Sequence, residues 1–309
     1  MNGVILIDKS AGPTSAEVVR QVKHRVKPAR VGHLGTLDPF ATGVLPILVG
    51  EGTKLAPFLH DGEKHYSGLI ALGSETDTLD RTGEVVRMAV VPQLDEARLA
   101  EIADRFTGTV MQTPPIFSAI KRDGVPLYKL ARRGDDVAPP PPREVRIDRL
   151  ELAAEGAASI RFSLVCSPGT YMRSLARDIG IALDSAGHLA ALQRTRSGFF
   201  AIENAQPLAT VLDALESGDH GCVIGLREAT ADLPEITVAG DIEKRLRNGD
   251  SRALDGLVPQ RDRDSQFLDG AASPQRGKFF KVIAGERLLA IAEATSRVTA
   301  VIARVFGEN

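Results

Sequence analysis

The chain has 309 residues, of which 43% are hydrophobic and 25% charged, and its formal net charge is −2 at pH 7. This length suits two domains, and the composition is ordinary for a globular protein. No apolar run approaches the roughly 20 residues that a membrane helix needs, and the N-terminal segment reaches an acidic residue too early for a signal peptide. We therefore expect a cytoplasmic protein without membrane contact.

Cysteine and histidine are sparse, with two and six residues scattered along the chain. Two cysteines do not build a disulfide framework, no Cys/His cluster has zinc-site spacing, and no His-x-x-x-His pair occurs. Neither a G-x-x-x-x-G-K-S/T phosphate loop nor a strand-placed G-x-G-x-x-G is present. The sequence therefore predicts no metal site and no nucleotide cofactor.

Basic residues are concentrated in two stretches although the net charge is close to zero. Residues 18–37 contain five basic residues and no acidic one, and residues 119–149 contain eight basic against five acidic residues. Such segregation suits a face that binds phosphates, but ordinary solvated helix faces give the same pattern. Charge alone leaves both interpretations open.

The first elements in chain order are a short buried strand at residues 3–7 and a helix that Ser15 can cap. An apolar stripe runs along this helix, formed by Val18, Val19, Val22 and Val26. Pro28 ends the helix, because proline cannot continue it. A loop rich in glycine and proline follows at residues 32–43 and leads into an apolar run at 44–49.

The middle of the chain alternates less regularly between strands and helices. We expect strands at 65–72, 145–152 and 159–166, and helices at 95–106, 126–133 and directly after Pro168-Gly169. In the strand at 159–166, the residues Ile160, Phe162, Leu164 and Cys166 share one face. Because these elements do not repeat as β-α-β units, the sequence predicts an α+β fold with a mixed or antiparallel central sheet flanked by helices.

The sequence changes character after about residue 233. A short helix beginning at Asp241 precedes a polar stretch at 255–277 and three strand candidates, at 279–283, 288–294 and 298–306. This pattern fits a small barrel-like domain of about 75 residues. We therefore predict one domain over residues 1–232 and a second over 233–309.

Asp38 lies in the loop at 32–43, where an Asp-Pro pair is also typical of an ordinary turn. Three features favour a functional loop. It follows the most basic stretch of the chain, it carries the apolar residues Leu34, Leu37 and Phe40, and it places His33 within six positions of a carboxylate. A loop of this kind is more typical of a folded ligand site than of a solvated connection.

Residues 32–46, GHLGTLDPFATGVLP, closely resemble the catalytic loop of the TruB family of tRNA pseudouridine-55 synthases. Other blocks that resemble the family come in the family's order, at residues 8–15, 65–80, 114–132, 166–178 and 188–198. This ordered series spans most of the predicted first domain. By this resemblance the chain is identified as a member of the family.

The resemblance implies an isomerisation that needs no cofactor. Converting uridine to pseudouridine breaks the N1–C1′ bond, turns the base and joins C5 to C1′, without redox change or loss of atoms. Asp38 is the implied catalytic carboxylate, and three roles stay open for it: attack on C1′, attack on C6, or removal of a ribose proton. Arg173 is its implied ion-pair partner, and Tyr66 is the implied ring that stacks on the uracil and relays the C5 proton.

The resemblance also implies how the substrate is held. A uridine in the folded T-loop of tRNA is stacked, so the enzyme must flip it out, and His33 is the residue implied to fill the vacated space. Further substrate-binding residues are implied at Lys9, Gly32, Tyr171, Leu192 and Lys121. The two basic stretches would contact the RNA backbone.

The implied fold is the pseudouridine synthase fold with a small PUA-type RNA-binding domain at residues 233–309. The chain departs from the family at Leu34, where a small or hydroxylated residue is usual. Two other functions stay open: an RNA-guided pseudouridylase, which needs accessory proteins, and a non-catalytic RNA-binding or tRNA-folding protein. Because binding alone does not need Asp38, Tyr66 and Arg173 together, we expect a stand-alone enzyme that acts on tRNA without an obligate protein partner.

Overall fold

The computed structural model describes residues 1–133, 135, 137–259 and 278–307. Its contacts divide the chain into two units. We call Met1–Glu63 together with Arg196–Asn309 the terminal unit, and Lys64–Thr195 the middle unit. This division does not follow the predicted boundary at residues 232/233, which stays a prediction.

The elements below are those of the described residues. The helices are α1 (Ser15–Arg25), α2 (Ala56–Leu59), α3 (Glu96–Arg105), α4 (Leu127–Ala131), α5 (Met172–Ala182), α6 (Leu208–Glu216) and α7 (Gly240–Arg247). The strands are β1 (Gly3–Lys9), β2 (Val31–His33), β3 (Thr42–Val49), β4 (Lys64–Leu72), β5 (Ser74–Thr76), β6 (Val85–Met88), β7 (Gly108–Gln112), β8 (Lys121–Arg122), β9 (Val125–Pro126), β10 (Arg143–Ala154), β11 (Ser159–Cys166), β12 (Gly187–Ser197), β13 (Phe200–Ala201), β14 (Gln206–Pro207), β15 (Val223–Ile224), β16 (Glu235–Thr237), β17 (Phe279–Ala284), β18 (Arg287–Ala294) and β19 (Ala300–Val305).

The terminal unit is organised around β1, whose apolar residues are buried. β1 pairs antiparallel with β3, from Gly3 opposite Val49 to Lys9 opposite Gly43. It also pairs parallel with β14 and antiparallel with β15, and β2 pairs with β3. The mixed pairing predicted for the sheet is therefore confirmed.

Helix α1 begins one residue earlier than the sequence indicated. Thr14 is its N-cap, and Thr14 and Glu17 form a reciprocal capping box. Ser15 is the first helical residue and uses its hydroxyl elsewhere, on the backbone of Leu37. The prediction that Ser15 caps the helix was wrong, because two adjacent hydroxyl residues compete for the position and only Thr14 has an acidic residue three positions on.

The middle unit contains the strand order β12-β4-β11-β10-β7. The β4–β11, β10–β11 and β10–β7 ladders are antiparallel. On β11 the predicted inner face is confirmed, since Ile160, Phe162, Leu164 and Cys166 are all buried. The short β5–β6 and β8–β9 hairpins have only two to four residues in a strand, and the sequence did not predict them.

The C-terminal segment forms its own four-stranded sheet in the order β16-β17-β18-β19. The three predicted strands and the short helix near Asp241 are confirmed, whereas β16, which pairs parallel with β17, was missed. Phe280, Val282 and Leu246 belong to an apolar core of this sheet and α7. Most of the polar stretch at 255–277 lies outside the described residues. Within the part of the chain that the structure describes, no helix is both long and apolar enough to cross a membrane.

Candidate active site

Asp38 lies between β2 and β3, in a loop that the buried side chain of Lys9 holds together. The Lys9 ammonium donates to the carbonyl oxygens of Ser10 at 2.9 Å, Pro39 at 3.2 Å and Ala41 at 2.7 Å. Lys9 is fully buried. A buried cation that binds several carbonyl oxygens fixes the backbone of a turn, where the hydrogen bonds of strand pairing are missing.

A hydroxyl of α1 and apolar side chains of the loop complete this support. The Ser15 hydroxyl accepts from the Leu37 amide at 2.9 Å and lies 3.1 Å from the Leu37 carbonyl oxygen. Leu34, Leu37 and Phe40 are buried, which explains why apolar residues occur in this loop. Asp38 is only half-buried. The loop is therefore a folded segment with buried apolar side chains, as the sequence indicated.

The structure places Lys9 inside the loop that carries Asp38. Its side chain is fully buried and its ammonium donates to carbonyls of this loop. Lys9 therefore supports the loop, and its implied contact with the substrate stays a prediction. The sequence could not reveal this, because a lysine after a strand is as typical of a phosphate contact as of a buried donor.

His33 and Gly32 lie on β2, opposite Ile47 and Leu48 of β3, and both are half-buried. The next residue, Leu34, donates its amide to the Pro46 carbonyl at 3.0 Å and places its side chain in the core of the terminal unit. A hydroxyl at this position would be buried among apolar groups. The departure at Leu34 thus suits the packing of this chain.

Arg173 occupies the first turn of α5 in the middle unit, and its side chain is 6% exposed. Its guanidinium donates to the carbonyls of Thr78 at 3.0 Å and Phe117 at 2.9 Å. Its Nε lies 3.7 Å from Oδ2 of Asp80, which is equally buried. Arg173 therefore joins three segments that are far apart in sequence. Asp38 belongs to the other unit, and its ion pair with Arg173 stays a prediction.

Asp80 is a functional candidate that the sequence analysis quoted only as part of a motif. Its Oδ1 accepts hydrogen bonds from the Thr78 hydroxyl at 3.0 Å, the Thr82 amide at 2.9 Å and the Thr82 hydroxyl at 2.5 Å. Its other oxygen faces Arg173. The signal was present in the Thr-x-Asp-x-Thr spacing, which is typical of a carboxylate that organises its own turn.

The start of α5 is held by the side-chain amide of Gln112, at the end of β7. Gln112 accepts from the Tyr171 amide at 2.7 Å and donates to the Tyr171 carbonyl at 3.1 Å. The Ser174 hydroxyl donates to the Thr113 carbonyl at 2.7 Å. These bonds lie on both sides of Arg173 in sequence. Gln112 is therefore a second residue that the sequence analysis missed.

Tyr171 presents its ring to a cation of the same unit. The guanidinium carbon of Arg143 lies 4.8 Å from the centre of this ring, and Arg143 also donates to the Gly169 carbonyl. The loop that precedes α5 is thus held at Gly169 and Tyr171. Lys121, by contrast, is exposed on the small β8–β9 hairpin, where it pairs with Pro126.

Tyr66 and Leu192 lie on adjoining strands, β4 and β12. Tyr66 is half-buried opposite Leu164, and Leu192 is buried. The approach of the two strands depends on Gly68, because a Cβ at this position would lie 2.3 Å from the carbonyl oxygen of Ala191. The structure therefore brings together the strand segments that carry these two predicted residues.

Solved structures of similar shape define the class of protein as one with the pseudouridine synthase fold. The chain superposes with a TM-score of 0.70 on a chain of "Crystal Structure of a Cbf5-Nop10-Gar1 Complex", with 24% identity over 99% of this chain and 85% of that one. It superposes equally well, with 23% identity and the same coverage, on a chain of "Structure of H/ACA RNP bound to a substrate RNA containing 2'-deoxyuridine". These likenesses establish the fold.

Sequence relatives identify the family. Residues 23–172 match the N-terminal domain of TruB family pseudouridylate synthases. The chain is 40% identical over 295 residues to tRNA pseudouridine synthase B of Geotalea uraniireducens, covering 95% of this chain and 92% of that protein. It is 41% identical over 273 residues to the protein of the same name from Francisella philomiragia, covering 87% and 90%. The chain belongs to the TruB family, and it is an isomerase that makes pseudouridine in tRNA.

Proposed function

We propose that this enzyme isomerises uridine 55 in the T-loop of tRNA, with Asp38 as the essential catalytic carboxylate. The observation that carries the proposal is the construction of the loop around Asp38. Lys9 and Ser15 fix its backbone and three apolar side chains anchor it, while Asp38 itself is only half-buried. A carboxylate held in a preorganised turn and open on one side suits attack on, or proton removal from, a bound nucleotide.

Arg173 is the residue that we propose as the ion-pair partner of Asp38. A nucleophile or base must be ionised, and an arginine nearby favours the ionised form of a carboxylic acid. A guanidinium has five N–H donors in a rigid fork. Asp80 and the carbonyls of Thr78 and Phe117 would hold this fork in one orientation, so that it can serve Asp38 as well.

The remaining residues would bind and orient the RNA. We propose that Tyr66 stacks on the uracil and relays the C5 proton, that His33 fills the space left by the flipped base, and that Gly32, Leu192 and Tyr171 line the site. Lys121 and the two basic stretches would contact the backbone, which makes binding weaken as salt rises. No cofactor takes part.

The proposal also divides the chain into a catalytic domain and an RNA-binding domain. Residues 1–232 would form the catalytic domain, and residues 233–309 a PUA-type domain that contacts RNA. The four-stranded sheet of this C-terminal segment, with its own apolar core, supports a separate role for it. We place the enzyme in the cytoplasm, where its tRNA substrate is processed, and we expect it to act without a protein partner.

The test uses purified protein and an unmodified tRNA transcript, without guide RNA or added protein. We expect one pseudouridine, at position 55, from the wild type, and a loss of at least a thousandfold in rate with Asp38→Asn, because an amide cannot act as nucleophile or base. Asp213→Asn, at an exposed carboxylate on α6, is the matched control and should be as active as the wild type. Product from Asp38→Asn would contradict the role of Asp38.

The same assay separates the two alternatives. A requirement for a guide RNA and partner proteins would favour an RNA-guided pseudouridylase. Binding of tRNA with no pseudouridine at any position would favour a non-catalytic RNA-binding or tRNA-folding protein. A transcript with cytidine at position 55 should yield no pseudouridine, and product elsewhere in that transcript would contradict the proposed target.

A further inference from the structure

A cavity of about 750 Å³ opens in the terminal unit at the end of α1, apart from the loop that carries Asp38. Among the described residues of its lining, the basic ones are Arg25, Lys27, Arg30 and Lys54, and the acidic one is Glu51. This volume lies within the range of ordinary ligand sites. The excess of positive charge in one concave site indicates an anionic ligand.

The one carboxylate of the cavity is already neutralised. Glu51 lies 2.6 Å from the Lys54 ammonium and accepts a hydrogen bond from the Gly307 amide at 2.8 Å. Burial alone would raise the pKa of Glu51, but these two hydrogen bonds and the charges of Lys54 and Arg30 hold this pKa below its ordinary value. Glu51 is therefore ionised and paired, and the remaining charge of the cavity is positive.

Lys27 and Arg30 supply most of this remaining charge. Both side chains are exposed, and neither makes an ion pair within 4.0 Å among the described residues. Arg25 is engaged more weakly, since its Nη2 lies 3.4 Å from a carboxylate oxygen of the exposed Glu216. A ligand with concentrated negative charge would gain from all three cations.

The wall of the cavity is fixed by specific backbone contacts. The Gly50 amide donates to the Arg30 carbonyl at 2.7 Å, and the Asn2 side chain accepts from the Glu51 amide at 2.8 Å. Gly50 has φ +58°, and a Cβ there would lie 2.1 Å from the Asn2 side-chain oxygen. The segment therefore needs glycine at position 50, and the backbone of Arg30 is held beside Glu51.

The cavity and the Asp38 loop lie at opposite ends of β1. Gly3 pairs with Val49 beside the cavity, and Lys9 pairs with Gly43 beside the loop. A strand of this length spans about 20 Å. A ligand in the cavity therefore cannot be the nucleotide that reacts at Asp38.

We propose that this cavity binds a phosphate of the RNA backbone, at a distance from the reacting uridine. The inference rests on the proposed function, which supplies the RNA. A free nucleotide is the less suitable occupant, because it also needs a surface for its base, and no Phe, Tyr or Trp is among the lining residues that the structure describes. Guanidinium and ammonium groups without a stacking ring suit a backbone phosphate, which carries no sequence information.

The test is binding of full-length tRNA, measured as a function of salt. The double variant Lys27→Ser/Arg30→Ser should bind about tenfold more weakly at low salt, and the slope of log K against log salt should fall by about 1. The matched control Arg105→Ser/Arg161→Ser removes two exposed arginines of the middle unit and should change affinity less than twofold. Equal losses in the two double variants would overturn the proposal.

Two further measurements test whether the effect depends on charge and whether the ligand is RNA. The charge-conserving variant Lys27→Arg/Arg30→Lys should bind tRNA like the wild type, and a loss equal to that of the serine variant would overturn the charge argument. ATP should bind more weakly than tRNA. Tight ATP binding that the serine variant abolishes would overturn the proposal, because the occupant of the cavity would then be a free nucleotide and not RNA. Because the readout is binding, a wild type that binds tRNA but forms no pseudouridine would contradict the proposed function without altering these outcomes.

Discussion

The Asp38 loop and the start of α5 are each held by a buried cation, but the two cations have different partners. In the terminal unit, the hydrogen bonds of the buried Lys9 ammonium go to three backbone carbonyls. In the middle unit, a buried guanidinium at Arg173 meets two carbonyls and a carboxylate, that of Asp80. The first arrangement fixes a backbone, whereas the second also fixes the orientation of a cation. Both segments are thus held by buried positive charge where strand pairing ends.

The largest expected effect is the loss of the Lys9 ammonium. Lys9→Met should lower the free energy of unfolding by about 3 kcal/mol, because it leaves buried carbonyls without a donor. Urea unfolding measures this, and Lys23→Met, at an exposed position on α1, is the matched control with an expected change below about 0.5 kcal/mol. Similar midpoints for the two variants would show that Lys9 does not support the loop.

Asp80→Asn tests the carboxylate that contacts Arg173 and has no counterpart among the carbonyl partners of Lys9. The amide keeps an oxygen for the Thr78 and Thr82 donors but removes the negative charge beside Arg173. We expect a loss of about 2 kcal/mol in stability and at least tenfold in kcat, with the Kd for tRNA nearly unchanged. Asp77→Asn, at an exposed carboxylate of the same turn, should change kcat less than twofold. Equal kcat values for the two variants would exclude a positioning role for Asp80.

Gln112→Leu removes the clamp at the start of α5 while leaving the ion pair of Arg173 in place. The Tyr171 amide and carbonyl lose their partners, so we expect a loss of about 1.5 kcal/mol in stability and a smaller fall in kcat than with Asp80→Asn. Gln193→Leu, exposed on β12, is the matched control. A full wild-type kcat with Gln112→Leu would show that the clamp on Tyr171 does not position Arg173.

The smallest expected effect concerns Asp178, further along α5. Burial raises the pKa of this carboxyl, and Arg177 offsets only part of the rise. Its contribution to folding is therefore complete below the unfolded pKa, near 3.9, and is lost as pH rises through the higher folded pKa. Asp178→Asn should raise the free energy of unfolding at pH 7 by less than about 1 kcal/mol and leave it unchanged at pH 3. A destabilised variant at pH 7 would contradict this sign.

Local patterns in the sequence predicted much of the fold. The alternation on β11 identified its buried face, and the apolar residues of the Asp38 loop indicated a folded segment. These predictions succeeded because the signal and the structure lie within the same few residues. The Thr14–Glu17 spacing of a capping box already favoured Thr14 over Ser15 as the cap of α1. The bond that engages Ser15 instead joins it to Leu37, 22 positions away, and no local pattern reveals that partner.

The supporting residues of the site were harder to predict for the same reason. Gln112 and Tyr171 are 59 positions apart, and Arg173 lies 95 positions from the Thr78 carbonyl. A glutamine at the end of a strand carries no sign of its distant partner. Lys9 shows the converse, since its motif was recognised but its burial was not. Resemblance predicts which residues take part in the site, and the structure separates exposed side chains from those that hold the loop.

The division of the chain into units has a consequence for the order in which the protein is made. β3, the first partner of β1, ends within the first fifty residues of the chain. The other partners, β14 and β15, are made only after the whole middle unit of about 130 residues. β14 begins 157 residues after β3 ends, so at ribosomal rates of about 5–20 residues per second this delay is about 8–31 s. During that time one edge of β1 has unpaired amides and carbonyls, which can pair with other nascent chains. The speed of translation thus sets how long this edge of β1 stays unpaired before β14 and β15 are made.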